Sequence, residues 1–241
     1  ARRDYEILRN NAFAEKDGDL NIVLADGNGI SQKGEQNGGV PDEEMLRMMN
    51  PEYSFWLHIP ETEMDYPVVR GKDTSFYLNH SFEGKDSVSG VIFTDPFTEP
   101  FASGHTVLYG HNMKDGSMFG GLKAYMDSEI FRKSPCIRIF RQGKWIVCPI
   151  FSCHVVQEND HSPYQAGMTK TEREAYFTAM SQQSLYDTGI KKYENEDFLT
   201  LSTCHGWGKR LVLHAIIPHE ESEKGRESIK IADFSVKKSQ K

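Results

Sequence analysis

The 241-residue chain has four cysteines and nine histidines, and one stretch sets a cysteine close to an arginine. Phe198-Leu199-Thr200-Leu201-Ser202-Thr203-Cys204 alternates like a strand, with Leu199, Leu201 and Thr203 on one face and Thr200, Ser202 and Cys204 on the other. His205-Gly206-Trp207-Gly208-Lys209 carries the glycines of a turn, and Arg210-Leu211-Val212-Leu213-His214-Ala215 reads as the returning strand. Paired as a hairpin, these strands make Cys204 and Arg210 cross-strand neighbours, about 4.5–5.5 Å apart at Cβ. The thiolate is the reactive form of cysteine, and a positive charge beside it lowers the pKa from about 8.5. Arginine is too basic to take the proton away, so Arg210 is expected to act as a fixed donor to substrate carbonyls or to an oxyanion. Proton traffic requires a histidine. His111 is best placed, because Thr106-Val107-Leu108-Tyr109 is an apolar strand that ends at Gly110 and presents the imidazole from the following loop.

The other candidates have blander readings. Cys136, Cys148 and Cys153 lie inside apolar runs with no glycine-rich turn or arginine after them, and are expected to be packing thiols. His58, His80, His154, His161, His214 and His219 show no partner pattern and read as surface or hydrogen-bonded fillers. His105, just ahead of the strand leading to His111, is expected on the solvent side. His205 adjoins Cys204 as a rival base, but neighbours on a strand point to opposite faces. A zinc site from His105, His111, Cys204 and His205 fits no familiar ligand spacing. Trp207 either shapes a substrate groove or covers the hairpin.

The elements that position these residues are short and mostly β-type. Phe55–Ile59, Tyr66–Val69, Gly90–Phe93, Thr106–Tyr109, Cys136–Phe140, Lys144–His154, Phe198–Thr203 and Leu211–Ile217 are apolar runs bounded by turn residues, which predicts a barrel or sandwich. Thr169–Tyr186 interrupts them with a helical pattern that opens on Thr169-x-x-Glu172, a capping box. Ahead of the strands, Asp4–Lys16 carries a helical stripe. Asp17–Val40 reads as a Gly/Asn-rich linker in which only Leu20–Ala25 could order locally, and Asp42 caps a second short helix that ends near Asn50-Pro51. The basic run Lys237–Lys241 closes the chain.

Composition narrows the function classes. Lys plus Arg is 28 against Asp plus Glu 35, a net charge of −7, so a general phosphate-binding surface and nucleic acid are not expected. No apolar run approaches the ~20 residues of a spanning helix. Four irregularly spaced cysteines without a C-x-x-C pair suggest neither a disulfide scaffold nor structural zinc.

Taken together, Leu201-Ser202-Thr203-Cys204 with Arg210 six residues later and Tyr109-Gly110-His111-Asn112-Met113 upstream resembles the sortases, cysteine transpeptidases of Gram-positive cell surfaces. Trp56-Leu57-His58-Ile59-Pro60, Asp65-Tyr66-Pro67-Val68-Val69, Tyr77-Leu78-Asn79-His80, Gly90–Asp95 and Gly110–Gly120 look like class B in particular, as do the inserted helix and the helical N-terminus. The resemblance implies a mainly β fold: an eight-stranded sortase-type barrel over 50–220, an N-terminal helical extension over 1–49, and a tail over 221–241. It implies catalytic roles for His111, Cys204 and Arg210, groove roles for Ser202, Leu78 and Thr203, and no metal or other cofactor. The implied reaction cleaves a C-terminal sorting motif after threonine and passes the thioacyl group to an amine of the peptidoglycan cross-bridge, of lipid II or of a pilin subunit. The implied partners are surface proteins bearing the motif, and the implied setting is the outer face of the membrane, with an N-terminal anchor absent from this chain. A thiol protease handing the acyl group to water and a noncatalytic surface-binding barrel are the alternatives.

Overall fold

Each of the eight alternating runs forms a strand: β1 Tyr53–His58, β2 Asp65–Val69, β3 Ile92–Thr94, β4 His105–Tyr109, β5 Cys136–Arg141, β6 Lys144–Gln157, β7 Asp197–Cys204 and β8 Lys209–Ile217. The computed structural model of the chain describes residues 2–14, 22–23, 40–73, 75–97, 99–102, 104–190 and 196–218. The expected tail over 221–241, His219 and most of Asp17–Val40 lie outside them. The strands run in the order β8-β7-β4-β3-β2-β1-β5-β6, and β6 pairs back onto β8, so the sheet closes as an eight-stranded barrel. Closure depends on the length of β6. Residues 144–149 pair with β5, residues 150–157 pair with β8, and a register shift between His214 and Ala215 turns the corner.

The pleat sorts residues as the alternation predicts. Leu57, Leu108, Ile139, Leu199, Leu201 and Leu213 face inward and are fully buried, each such burial contributing roughly 1.5–3 kcal/mol. Helix α1 (Arg2–Ala12) lies against the barrel through Leu8, Ala12 and Tyr5, whose hydroxyl donates to Gly90 O at 2.7 Å. The helix is shorter than the predicted stripe, because Phe13 and Ala14 pair with Pro41 and Val40 and the Phe13 ring meets Trp56 edge-on. Within the predicted linker, Ile22–Val23 pairs in parallel with Trp145 and Ile146. Helix α2 (Glu43–Met49) is capped by Asp42 as predicted, and a short helix α3 (Ser128–Lys133) precedes β5.

Helix α4 (Lys170–Gln183) carries the predicted capping box and roofs the outer face of β7, β8 and β6. Its Tyr176, Phe177 and Met180 pack with Phe151, Phe198 and Ile216 in a second core. This roof overturns the expectation for His105, which is only 2% exposed. Its side chain does point out of the barrel, but that outer face is covered. His105 Nδ1 donates to Gln165 O at 2.6 Å, and its Nε2 meets Thr200 Oγ1 at 2.7 Å. His214 Nδ1 reaches the same hydroxyl at 2.8 Å, and the His154 ring stacks on His214.

Burial holds all three imidazoles neutral: His105 and His154 are pushed down to about 4, and His214 is lowered well below its ordinary value. Unfolded, the same rings take up protons near 6.5. Between those values the unfolded state binds more protons, so stability is intact near neutral pH and falls as the pH drops, by about 1.4 kcal/mol per pH unit per ring. Hydrogen bonds hold the carboxyls of Asp73, Asp160 and Glu172 below their ordinary range, so the stability they contribute is lost only as the pH falls through that range. Denaturant melts at pH 7 and pH 5 should therefore show a lower midpoint at pH 5; a midpoint unchanged between the two would contradict a neutral buried histidine layer.

Candidate active site

Strands β7 and β8 form the predicted hairpin, and its last pair is Cys204 opposite Arg210. The thiol is exposed, the guanidinium is partly buried, and Arg210 Nη1 donates to Cys204 Sγ at 3.7 Å. A sulfur nucleophile with a permanent cation beside it is thus built from a single local turn.

The histidine arrives by a different route. Strand β4 runs parallel to β7 in register from Phe198 opposite His105 to Ser202 opposite Tyr109, so both chains leave the sheet at the same rim. Two hydrogen bonds tie the exits together. Thr203 Oγ1 donates to Gly110 O at 2.8 Å, and Asn112 Nδ2 donates to the carbonyl of Cys204 itself at 2.6 Å. His111 lies between these ties. A side chain at Gly110 would sit 2.8 Å from the Phe119 ring, so the turn into His111 requires glycine. His111 Nε2 is 2.7 Å from Leu78 O. A carbonyl can only accept, so Nε2 carries a hydrogen, and in the neutral ring Nδ1 is left as the proton acceptor.

Leu78 ends the 3-10 turn Phe76–Leu78 on one side of this rim. On the other side lies the short strap Ser162–Tyr164. The Tyr164 hydroxyl hydrogen-bonds Ser202 Oγ at 2.9 Å, and its ring tilts toward Tyr109 with centroids 6.2 Å apart. Burial raises both phenols, Tyr109 to about 12, so both remain neutral near physiological pH.

His111, Cys204 and Arg210 therefore meet at one rim, with Leu78 joined to them through its carbonyl. Ser202 is buried and its hydroxyl engages Tyr164, while Thr203 is buried and holds the His111 loop from behind. Cys148 and Cys153 are buried with thiols pushed up by burial, Cys153 to about 12, and Cys136 is partly buried. His105 lies beneath the roof with both nitrogens engaged, so it cannot join His111, Cys204 and His205 around an ion. Among the described residues no three His, Cys, Asp or Glu side chains are arranged to hold a metal. Trp207 does not cover the hairpin: it is fully exposed between Gly206 and Gly208, both at positive φ. Asn112 and Tyr164 escaped the sequence reading. Asn112 follows His111 in the motif, but nothing in its type announces a bond to a residue 92 positions away, and Tyr164 carries no local signal at all.

Chemically, the rim offers a nucleophile, a proton carrier with a fixed tautomer and a forked cationic donor, which together suit acyl transfer through a covalent intermediate. Comparison with known proteins agrees. Residues 57–217 match the family described as Sortase domain. Sortase B of Listeria monocytogenes is 34% identical over 170 residues, covering 70% of this chain and 69% of that protein. The X-ray structure of Clostridium perfringens sortase B superposes with a TM-score of 0.69 at 33% identity, covering 73% of this chain and all of that one. A Staphylococcus aureus sortase B–substrate complex gives a TM-score of 0.69 at 25% identity, covering 73% of this chain and 84% of that one.

Brief iodoacetamide treatment at neutral pH followed by peptide mapping should label Cys204 at least about tenfold faster than Cys148 or Cys153, since access and thiolate character govern alkylation. Comparable labelling at all three positions would rule out the exposed thiol described here.

Proposed function

Because this chain belongs to the sortase family and is a class B sortase, a cysteine transpeptidase, we propose that Cys204, His111 and Arg210 are its catalytic residues. Cys204 Sγ attacks the carbonyl carbon that follows the threonine side chain of a C-terminal sorting motif. The oxyanion that forms is held by the Arg210 guanidinium, which lies 3.7 Å from the sulfur and can reach an oxygen on the carbon under attack. As the carbon–nitrogen bond breaks, the proton of the thiol reaches the departing amine through His111 Nδ1, and a thioacyl enzyme remains. An incoming amine then attacks the thioester, His111 takes the proton it sheds, and the sulfur leaves as the new amide forms. Throughout, the contact with Leu78 O keeps the second ring nitrogen as a donor and leaves the proton transfers to one atom.

What supports this assignment above all is the pair of bonds at 2.8 and 2.6 Å that fasten the His111 loop to Thr203 and Cys204. Leu78 is proposed to border the bound motif, Ser202 to act on that border through the Tyr164 hydroxyl it bonds, and Thr203 to act from behind by holding Gly110. The proposed acceptor is an amine of the peptidoglycan cross-bridge, lipid II or a pilin subunit, and the proposed clients are motif-bearing surface proteins. The family acts at the cell surface; a membrane tether on the N-terminal side is part of this proposal. Among the described residues no helix is long and apolar enough to cross a membrane.

The test is a quenched sorting-motif peptide incubated with the protein, with and without added amine, with products read by mass. A ligated product that grows with amine concentration is expected. Hydrolysis alone at every amine concentration would turn the reading to a thiol protease. Cys204→Ala should abolish turnover. Arg210→Lys should lower kcat/KM about 10²-fold, because an ammonium does not reproduce the forked donor, and near-normal activity in that variant would remove Arg210 from the mechanism.

A further inference from the structure

The outward residues of β7 form a polar row under the roof: Thr200, then Ser202, then Cys204 at the open end. The strap Ser162–Tyr164 and the residue after it lie along this row, and three buried side chains hold them there. Tyr176 of α4 donates its hydroxyl to Pro163 O at 2.9 Å, Tyr164 meets Ser202 at 2.9 Å, and His105 Nδ1 donates to Gln165 O at 2.6 Å. Tyr164 bonds Ser202, two residues before Cys204, and its ring faces Tyr109, two residues before His111, so the strap stands beside both chain exits that carry the site.

The hydrogens in this layer admit one consistent arrangement. Gln165 O can only accept, so His105 Nδ1 carries the hydrogen. The ring is buried and neutral, so Nε2 presents a lone pair that the Thr200 hydroxyl must fill. Thr200 has then given its only hydrogen, and its oxygen accepts from His214 Nδ1 at 2.8 Å. His105 is thereby clamped by β7 on one side and clamps the strap on the other. It lies six residues before His111 on the strand that also delivers the catalytic loop.

We propose that His105 is a positioning residue for substrate binding: through Gln165 O and Thr200 it sets the strap against the strand that bears Cys204, and so sets the width of the peptide cleft. This rests on the transpeptidase reading above and deepens it. His105 touches neither sulfur nor peptide. Its loss should weaken binding of ground state and transition state alike, which appears in KM and leaves kcat nearly unchanged.

The experiment measures kcat and KM for the motif peptide in the full chain carrying His105→Phe or His105→Asn, with iodoacetamide reactivity of Cys204 and thermal melts alongside. His105→Phe, which removes both polar contacts, is expected to raise KM about tenfold with kcat within about twofold of wild type and Cys204 alkylation unchanged. His105→Asn can return a donor near the Nδ1 position and should recover much of that loss. If His105→Phe does not fold, Thr200→Val and Thr200→Ser repeat the comparison from the other end, with only the valine variant raising KM. Independently, 15N spectra of histidine-labelled protein at pH 7 should show His105 neutral with its hydrogen on Nδ1. An unchanged KM in a folded His105→Phe or Thr200→Val variant, or a ring protonated on Nε2 alone, overturns the inference while leaving the transpeptidase in place. A wild-type chain that turns over no motif peptide overturns both.

Discussion

The parallel pairing of β4 with β7 is the contact on which the rest of the site depends. It aligns two chain exits so that the carbonyls of Gly110 and Cys204 fall within reach of Thr203 and Asn112. Without it, a thiol and a guanidinium would still face each other across a tight turn, but His111 would not be brought to their rim. Parallel neighbours cannot be joined by a short turn, and here residues 110–196 intervene. All of β5, β6 and α4 lies in that interval. The barrel is in this sense the crossover connection that a parallel pair needs, closed on itself by the length of β6.

The same pairing gives the sheet two unlike faces. Inward, leucines and isoleucines fill the barrel, and their packing holds β7 rigid along its length. Outward, the strand carries Thr200, Ser202 and Cys204, and only the last of these meets solvent. A polar row under a helix is costly unless every group finds a partner. Threonine, tyrosine and histidine side chains answer most of that need by bonding to one another and to carbonyls of the strap, while Nε2 of His154 and Nε2 of His214 have no hydrogen-bond partner among the described residues. The polar layer therefore links the roof to the catalytic strand, and the cleft wall is fixed by hydrogen bonds that begin well away from the sulfur.

Legibility from sequence followed the range of the contacts. The eight strands, the capped helix after Thr169 and the cap at Asp42 were readable because alternation, helical periodicity and capping residues are local signals. The ends of elements were less so: α1 stops at Ala12 because a tertiary pairing claims Phe13 and Ala14. His105 was misplaced for a related reason. Alternation does put it on the outer face of β4, and nothing nearby in the chain reveals that a helix more than sixty residues later covers that face.

The sequence by itself determined the facing of Cys204 and Arg210, since a five-residue loop with two glycines leaves a hairpin little choice of register and a strand's period of two then settles the face. It also supplied the histidine motif, though as a resemblance and not as a geometry. Only the tertiary structure decided that His111 stands at the same rim, that Asn112 and Thr203 hold it there, and that three other histidines are buried and uncharged. Those outcomes turn on hydrogen bonds between residues about 90 positions apart and on which surfaces a distant helix shields from water, quantities that exist only once the sheet has closed.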